Sequence, residues 1–145
     1  MIDQIDFSVR GIPIPQGSMK AFVVNGKARL TSDNPKTDGW REVVAWEARS
    51  ARARAGANSI VFEAQEPVEI EIEFYLPPLA KPVKGRLFPS VLPDLDKLCR
   101  AIFDALTGVL WVDDGQVCIL RAVKHYGDPH VNITVKSLAL TPRFP

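Results

Sequence analysis

Residues 68–76 read Val-Glu-Ile-Glu-Ile-Glu-Phe-Tyr-Leu, a strict two-residue alternation. Val68, Ile70, Ile72, Phe74 and Leu76 point to one side of an extended chain, and Glu69, Glu71, Glu73 and Tyr75 to the other. One buried and one wet face predict an antiparallel or mixed sheet rather than a parallel sheet sandwiched between helices. The three glutamates read as the wet face, not as a metal site.

Working outward, Ile5, Phe7 and Val9 predict an opening strand within residues 5–14. Residues 21–24 and 28–31 flank Asn25-Gly26 and predict a hairpin, because both turn residues tolerate positive φ. The segment 117–125 and the segment 131–138, joined through Gly127-Asp128-Pro129, predict a closing hairpin. A first helix is expected over about 35–55, capped by Asn34 with Pro35 at its first position and ended by Gly56. Trp40, Val43, Val44, Ala48 and Ala51 form its apolar face, and Arg41, Arg49, Arg52 and Arg54 its solvated surface. A second helix is expected over 94–107, with Leu95, Leu98, Ile102, Phe103 and Leu106 on its stripe and Gly108 at its end. The expected fold is one compact α/β (α+β) domain over residues 1–145, with a mixed, mostly antiparallel sheet and two main helices.

At 145 residues the chain is long enough to bury one core without disulfides. No apolar run approaches the roughly 20 residues of a membrane helix, and Met1-Ile2-Asp3-Gln4 does not begin a signal peptide. The expectation is a cytoplasmic protein with no membrane partner. Cys99 and Cys118 then read as small, partly buried apolar residues. His125 and His130 read as surface polar residues, without the spacing of a zinc site. The net charge is only +1, so any binding to nucleic acid depends on how the charges are distributed.

That distribution is uneven. The connection 77–93 carries Lys81, Lys84 and Arg86 and no acid. Directly after it come Asp94 and Asp96, and beyond the second helix Asp113 and Asp114. An aspartate at a helix start can simply be a cap, which explains one such residue better than two. Carboxylate oxygens of this kind suit Mg²⁺ or Mn²⁺, which activate water in phosphodiester cleavage. Arg100 follows Asp96 by four residues, so it either pairs with Asp96 on the helix surface or faces a phosphate. No phosphate-cradling GxxxxGKS, GxGxxG or GxSxG pattern is present.

Asp94-Leu95-Asp96-Lys97-Leu98, then Phe103-Asp104-Ala105-Leu106-Thr107, then Trp111-Val112-Asp113-Asp114-Gly115-Gln116-Val117, together resemble the RusA family of Holliday junction resolvases. The family pattern is D-x-D-N-L, F-D-A-L and D-D-x-x-V in that order, and the likeness is strongest over 94–124. The stretch Ile12–Ser18, the hairpin after it and the first helix match the family layout more loosely. The resemblance implies that Asp94, Asp96 and Asp114 bind a catalytic Mg²⁺, with Asp113 as an auxiliary ligand. Arg100 falls where relatives commonly place a catalytic or phosphate-binding lysine, and Lys97 replaces the usual asparagine. The resemblance further implies a RusA-like fold and a homodimer that nicks a four-way DNA junction symmetrically, in recombination and repair, often phage-encoded. Lys20, Lys27, Lys36, Lys81, Lys84, Arg86 and Lys97 would then contact DNA phosphates. Two other readings remain open: a nuclease acting on flaps or forks, and a catalytically silent DNA-binding or phage assembly module.

Overall fold

The computed structural model describes residues 2–17, 19–32 and 36–139, and for most of 19–32 the backbone alone. Four strands make one mixed sheet: β1 (Gln4–Arg10), β4 (Val68–Leu76), β5 (Val117–Tyr126) and β6 (His130–Ser137), in the order β1-β6-β4-β5. The pairs β1–β6 and β4–β6 are antiparallel and β4–β5 is parallel. The predicted hairpin at 19–32 is present as β2 (Met19–Val24) and β3 (Lys27–Ser32), a separate two-stranded sheet. Asn25 and Gly26 turn it with φ of 51° and 75°, as the type I′ geometry requires.

The closing hairpin does not form as predicted. β5 and β6 follow each other in sequence, but β4 lies between them and pairs with both. The short link at 127–129 therefore steps across the end of β4. Gly127 N donates to Leu76 O at 2.9 Å, and a Cβ at Gly127 would lie 3.0 Å from the Tyr75 ring. Glycine is what lets the backbone pass so close. Threading β4 between two strands puts its apolar face at the centre of the core, where Val68, Ile70 and Phe74 are fully buried.

Two helices cover that face: α1 (Thr37–Arg54) and α2 (Leu95–Leu106). α1 packs on α2 and β1, while α2 also reaches β5. The predicted cap at Asn34-Pro35 lies outside the described residues, and Lys36 stands at the N-cap instead. Trp40, Val44, Ala48 and Ala51 are buried as expected, but Val43 is exposed, and Thr37 takes the fifth place on the buried stripe instead. Arg52 is not a purely solvated side chain: it donates to Val109 O at 2.7 Å and to Asn58 O at 3.3 Å, pinning the turn after α2. In α2, Leu98, Ile102 and Leu106 are buried and Leu95 and Phe103 pack beside them. Cys99 is buried too, which pushes its thiol up to about 11 with help from the Asp96 charge, whereas Cys118 is exposed.

The histidines are not isolated surface groups. His130 stacks on Tyr75 with ring centroids 4.3 Å apart, and His125 lies against the other reach of that ring at 4.9 Å. Both belong to the polar face of the sheet, where Arg121 also pairs with Glu69 at 3.2 Å. Glu69, Glu71 and Glu73 thus occupy the expected solvated face.

Candidate functional site

The long connection at 77–93 ends where α2 begins, and Asp94 is the residue between them. It takes the N-cap position with extended backbone, yet its side chain makes no capping hydrogen bond. The ordinary reason for an aspartate here is therefore absent, and its carboxylate is exposed, with no hydrogen bond or ion pair among the described residues. Asp96, in the first turn, is exposed as well. Among the described residues it forms no ion pair with Arg100, so the surface pair expected at that spacing does not occur. Arg100 is exposed on the next turn of α2.

The path into Asp94 is held by a residue that sequence reasoning did not single out. Lys124 Nζ, from β5, donates to Val91 O at 2.9 Å and to Pro93 O at 2.8 Å. One ammonium thus ties the last turn of the connection to the sheet, immediately before the first acid of the site. Hydrogen bonds from a charged donor each contribute about 1.5–3 kcal/mol to local order. Lys124→Met is expected to speed amide exchange in the segment 91–94 by about 10-fold, the worth of one such bond. Lys124→Arg, which keeps a donor for two carbonyls, should recover most of that protection; a Met variant that exchanges as slowly as wild type would refute this role.

The opposite end of α2 carries the second acidic group. Asp113 caps a single 3-10 turn, Asp114–Gln116: its Oδ1 accepts from Gly115 N at 2.9 Å. It is thus partly spent on local structure. Asp114 is pushed above its usual carboxylate range, chiefly by desolvation, then by the Asp113 charge and its hydrogen bond, and by the Asp104 charge. Asp104, on α2, is a member of this group that the sequence reading left out. It also accepts from Arg41 at 3.4 Å, and Arg41 pairs with Asp38.

The sign of the Asp114 shift makes a prediction. A carboxyl whose folded pKa is raised stabilises the fold while protonated, and that contribution is lost as pH rises through the folded value. At pH 7 the ionised Asp114 is therefore a small liability. Asp114→Asn should raise the melting temperature at neutral pH by up to about 3 °C, given the modest worth of exposed charge pairs. The gain should vanish as pH falls through the carboxylate range, a comparison that thermal melts at pH 7 and pH 3 make directly.

Gln116 organises this corner, a role that nothing in the sequence marks beyond its place in a motif. It is buried, and its Oε1 accepts from Val112 N (2.9 Å) and Asp113 N (3.0 Å). Its Nε2 donates to Glu63 O (2.8 Å) and Glu66 O (3.1 Å). A pocket of about 460 Å³ lined by Pro67, Val112, Asp113, Gln116 and Cys118 opens beside it.

The four predicted acids thus stand as two pairs related to opposite ends of α2. Asp104 lies eight residues beyond Asp96, about 12 Å along a helix, and the charges that act on Asp114 are Asp113 and Asp104. Among the described residues no three His, Cys, Asp or Glu side chains gather as a metal-holding group. The donor chemistry nonetheless fits a hard divalent ion, since Mg²⁺ needs only one or two carboxylates and keeps waters or phosphate oxygens as the rest.

Of the expected DNA-facing cations, Lys27, Lys36, Lys81 and Lys84 are exposed, and Arg86 and Lys97 half-buried; the Lys20 side chain lies outside the described residues. Lys97 O accepts from Gln16 N at 3.0 Å, which brings the segment 12–17 against the first turn of α2.

A protein-family model described as Endodeoxyribonuclease RusA matches residues 11–136. The uncharacterised protein YqaN of Bacillus subtilis (strain 168) is 28% identical over 142 residues, a span that covers 95% of this chain and 99% of that protein.

Proposed function

The chain belongs to the RusA endodeoxyribonuclease family, and from that premise we propose that it is a Mg²⁺-dependent nuclease that resolves four-way DNA junctions by paired nicks. The observation that carries this reading is the pair Asp94 and Asp96: exposed acids at a helix start, one of them uncapped, directly behind an acid-free basic connection. Bound Mg²⁺ would supply an activated water and neutralise the phosphate, with Mn²⁺ as a substitute. Asp94, Asp96 and Asp114 would hold it, and Asp113 would steady the turn that carries Asp114.

The chain's own cations do the rest of the work. Arg100, free of Asp96, is available to hold the scissile phosphate and to offset charge as it develops. Its planar guanidinium can meet two phosphate oxygens at once, which suits it to orient and offset that charge. Lys27, Lys36, Lys81, Lys84, Arg86 and Lys97 would position the duplex arms through phosphates, which carry affinity without sequence. Lys20 belongs to the same proposal by its place beside the hairpin turn.

A homodimer suits this chemistry. Acids divided between the two ends of α2 would be brought into one site more readily by two copies than by one. Val112, next to Asp113, and Ile119 and Leu120 on the edge strand β5 are exposed, apolar groups of the kind a second copy covers.

The deciding experiment is a nicking assay on a synthetic four-way junction, with Mg²⁺ and with chelator. Symmetric Mg²⁺-dependent nicks support the reading. Preference for flaps or forks would support the broader branched-DNA nuclease, and binding without any nicking would support the silent module, which the division of the acids also favours.

A further inference from the structure

Within residues 83–92, five apolar side chains face solvent: Leu87 (83% exposed), Leu92 (79%), Phe88 (57%), Val83 and Val91. A connection that only touched phosphates would have no use for them. They are interleaved with Lys84 and Arg86, and together Val83, Lys84, Arg86, Leu87 and Phe88 line a concavity of about 520 Å³. We propose that this connection receives an unpaired nucleobase at the branch point, with Leu87 and Phe88 covering its faces and Lys84 and Arg86 taking the flanking phosphates.

Three observations support that occupant. The first is charge: residues 77–93 carry cations and no acid, which complements a nucleic-acid backbone. A second copy of the chain would instead set Lys81, Lys84 and Arg86 against a surface that can be no less basic if the same connection pairs with itself. The second is rigidity. Arg86 N bonds Val83 O at 3.0 Å and Ser90 N bonds Phe88 O at 2.8 Å, while Lys124 clamps Val91 and Pro93. The Phe88 ring lies 6.1 Å from that of His125 on β5. An apolar surface held in place before binding loses less entropy when a base stacks on it. The third is position: the clamp ends at Pro93, one residue before Asp94, so a base held here would set the scissile phosphate near the acids.

The inference rests on the nuclease reading and deepens it, since it names what a branched substrate offers and a plain duplex does not. Its test uses a four-way junction with 2-aminopurine at the branch point, in Ca²⁺ to withhold cleavage. The wild-type protein should raise the fluorescence on binding as the base unstacks. Leu87→Ala with Phe88→Ala should lose that rise and weaken junction binding on the order of 10-fold, the worth of one stacked base, while linear duplex binding is unchanged. Lys84→Ala should weaken both substrates alike. The proposal is overturned if the double variant unstacks the base as wild type does, if it loses duplex and junction binding equally, or if it turns a dimer into a monomer. Should wild type nick junctions while the double variant is indistinguishable from it, only this inference fails. Should wild type neither bind nor nick branched DNA, the nuclease reading fails with it.

Discussion

Asp96→Asn is expected to abolish nicking of a four-way junction, by at least about 100-fold, while junction binding survives. The effect is electrostatic. On the proposed reading, asparagine keeps the size and one oxygen of the side chain but removes the charge that would make it a ligand for a hard cation, and losing one such partner of the transition state costs about 10²–10³ in rate. Binding is proposed to rest on other groups, the lysines and arginines around the hairpin and the 77–93 connection, so it should persist and remain salt-dependent. Asp113→Asn is the informative companion. Its amide oxygen can still accept from Gly115 N, so the turn keeps its cap and only the charge is lost. A much smaller effect there than at Asp96 would assign Asp113 to structure and not to metal binding. Full cleavage by the Asp96→Asn protein in Mg²⁺ would remove Asp96 from the site.

Gln116→Leu should be the most damaging single change to stability outside the apolar core, by about 2–4 kcal/mol. Leucine fills similar space, but it strands Val112 N and Asp113 N without their acceptor and Glu63 O and Glu66 O without their donor. Each polar group left buried and unpaired costs about 1–3 kcal/mol, and partial exposure of this corner lets water recover some of it. For a domain of this size that corresponds to a fall in melting temperature of about 6–12 °C. Amide exchange at Val112 and Asp113 should quicken more than exchange in β4, because the lost bonds hold the turn and not the sheet. Gln116→Glu keeps an acceptor but loses both donors and adds a charge facing two carbonyls, so it should melt no higher than the leucine variant. A leucine variant melting within a degree of wild type would show that the glutamine holds nothing.

These two residues differ in how visible they were beforehand. Asp96 stands out because two acids at one helix start exceed what capping requires. Gln116 does not, since its partners Glu63 and Glu66 lie 53 and 50 residues away and nothing local marks them. Lys124 is the same case: its bonds reach back 33 and 31 residues to Val91 and Pro93. Asp104 reads as one more member of a helix motif, and only the fold brings its charge to bear on Asp114. The hairpin predicted from Gly127-Asp128-Pro129 failed for a related reason. A tight turn reverses the chain, but it does not decide whether the returning strand lies next to the first or one place further on.

The alternation at 68–76, the Asn25-Gly26 turn, the stripe of α2 and the family motif were all settled by the sequence itself. Each depends on neighbours within a few residues: side-chain parity along a strand, positive φ at two turn residues, helical spacing of apolar groups. Strand order, the placing of β4 between β5 and β6, the Lys124 clamp, the Gln116 hub and the division of the acids between the ends of α2 came only with tertiary structure. These are set by burial and hydrogen bonding between segments far apart in the chain, where many pairings satisfy the local pattern equally well and only the packed whole distinguishes them.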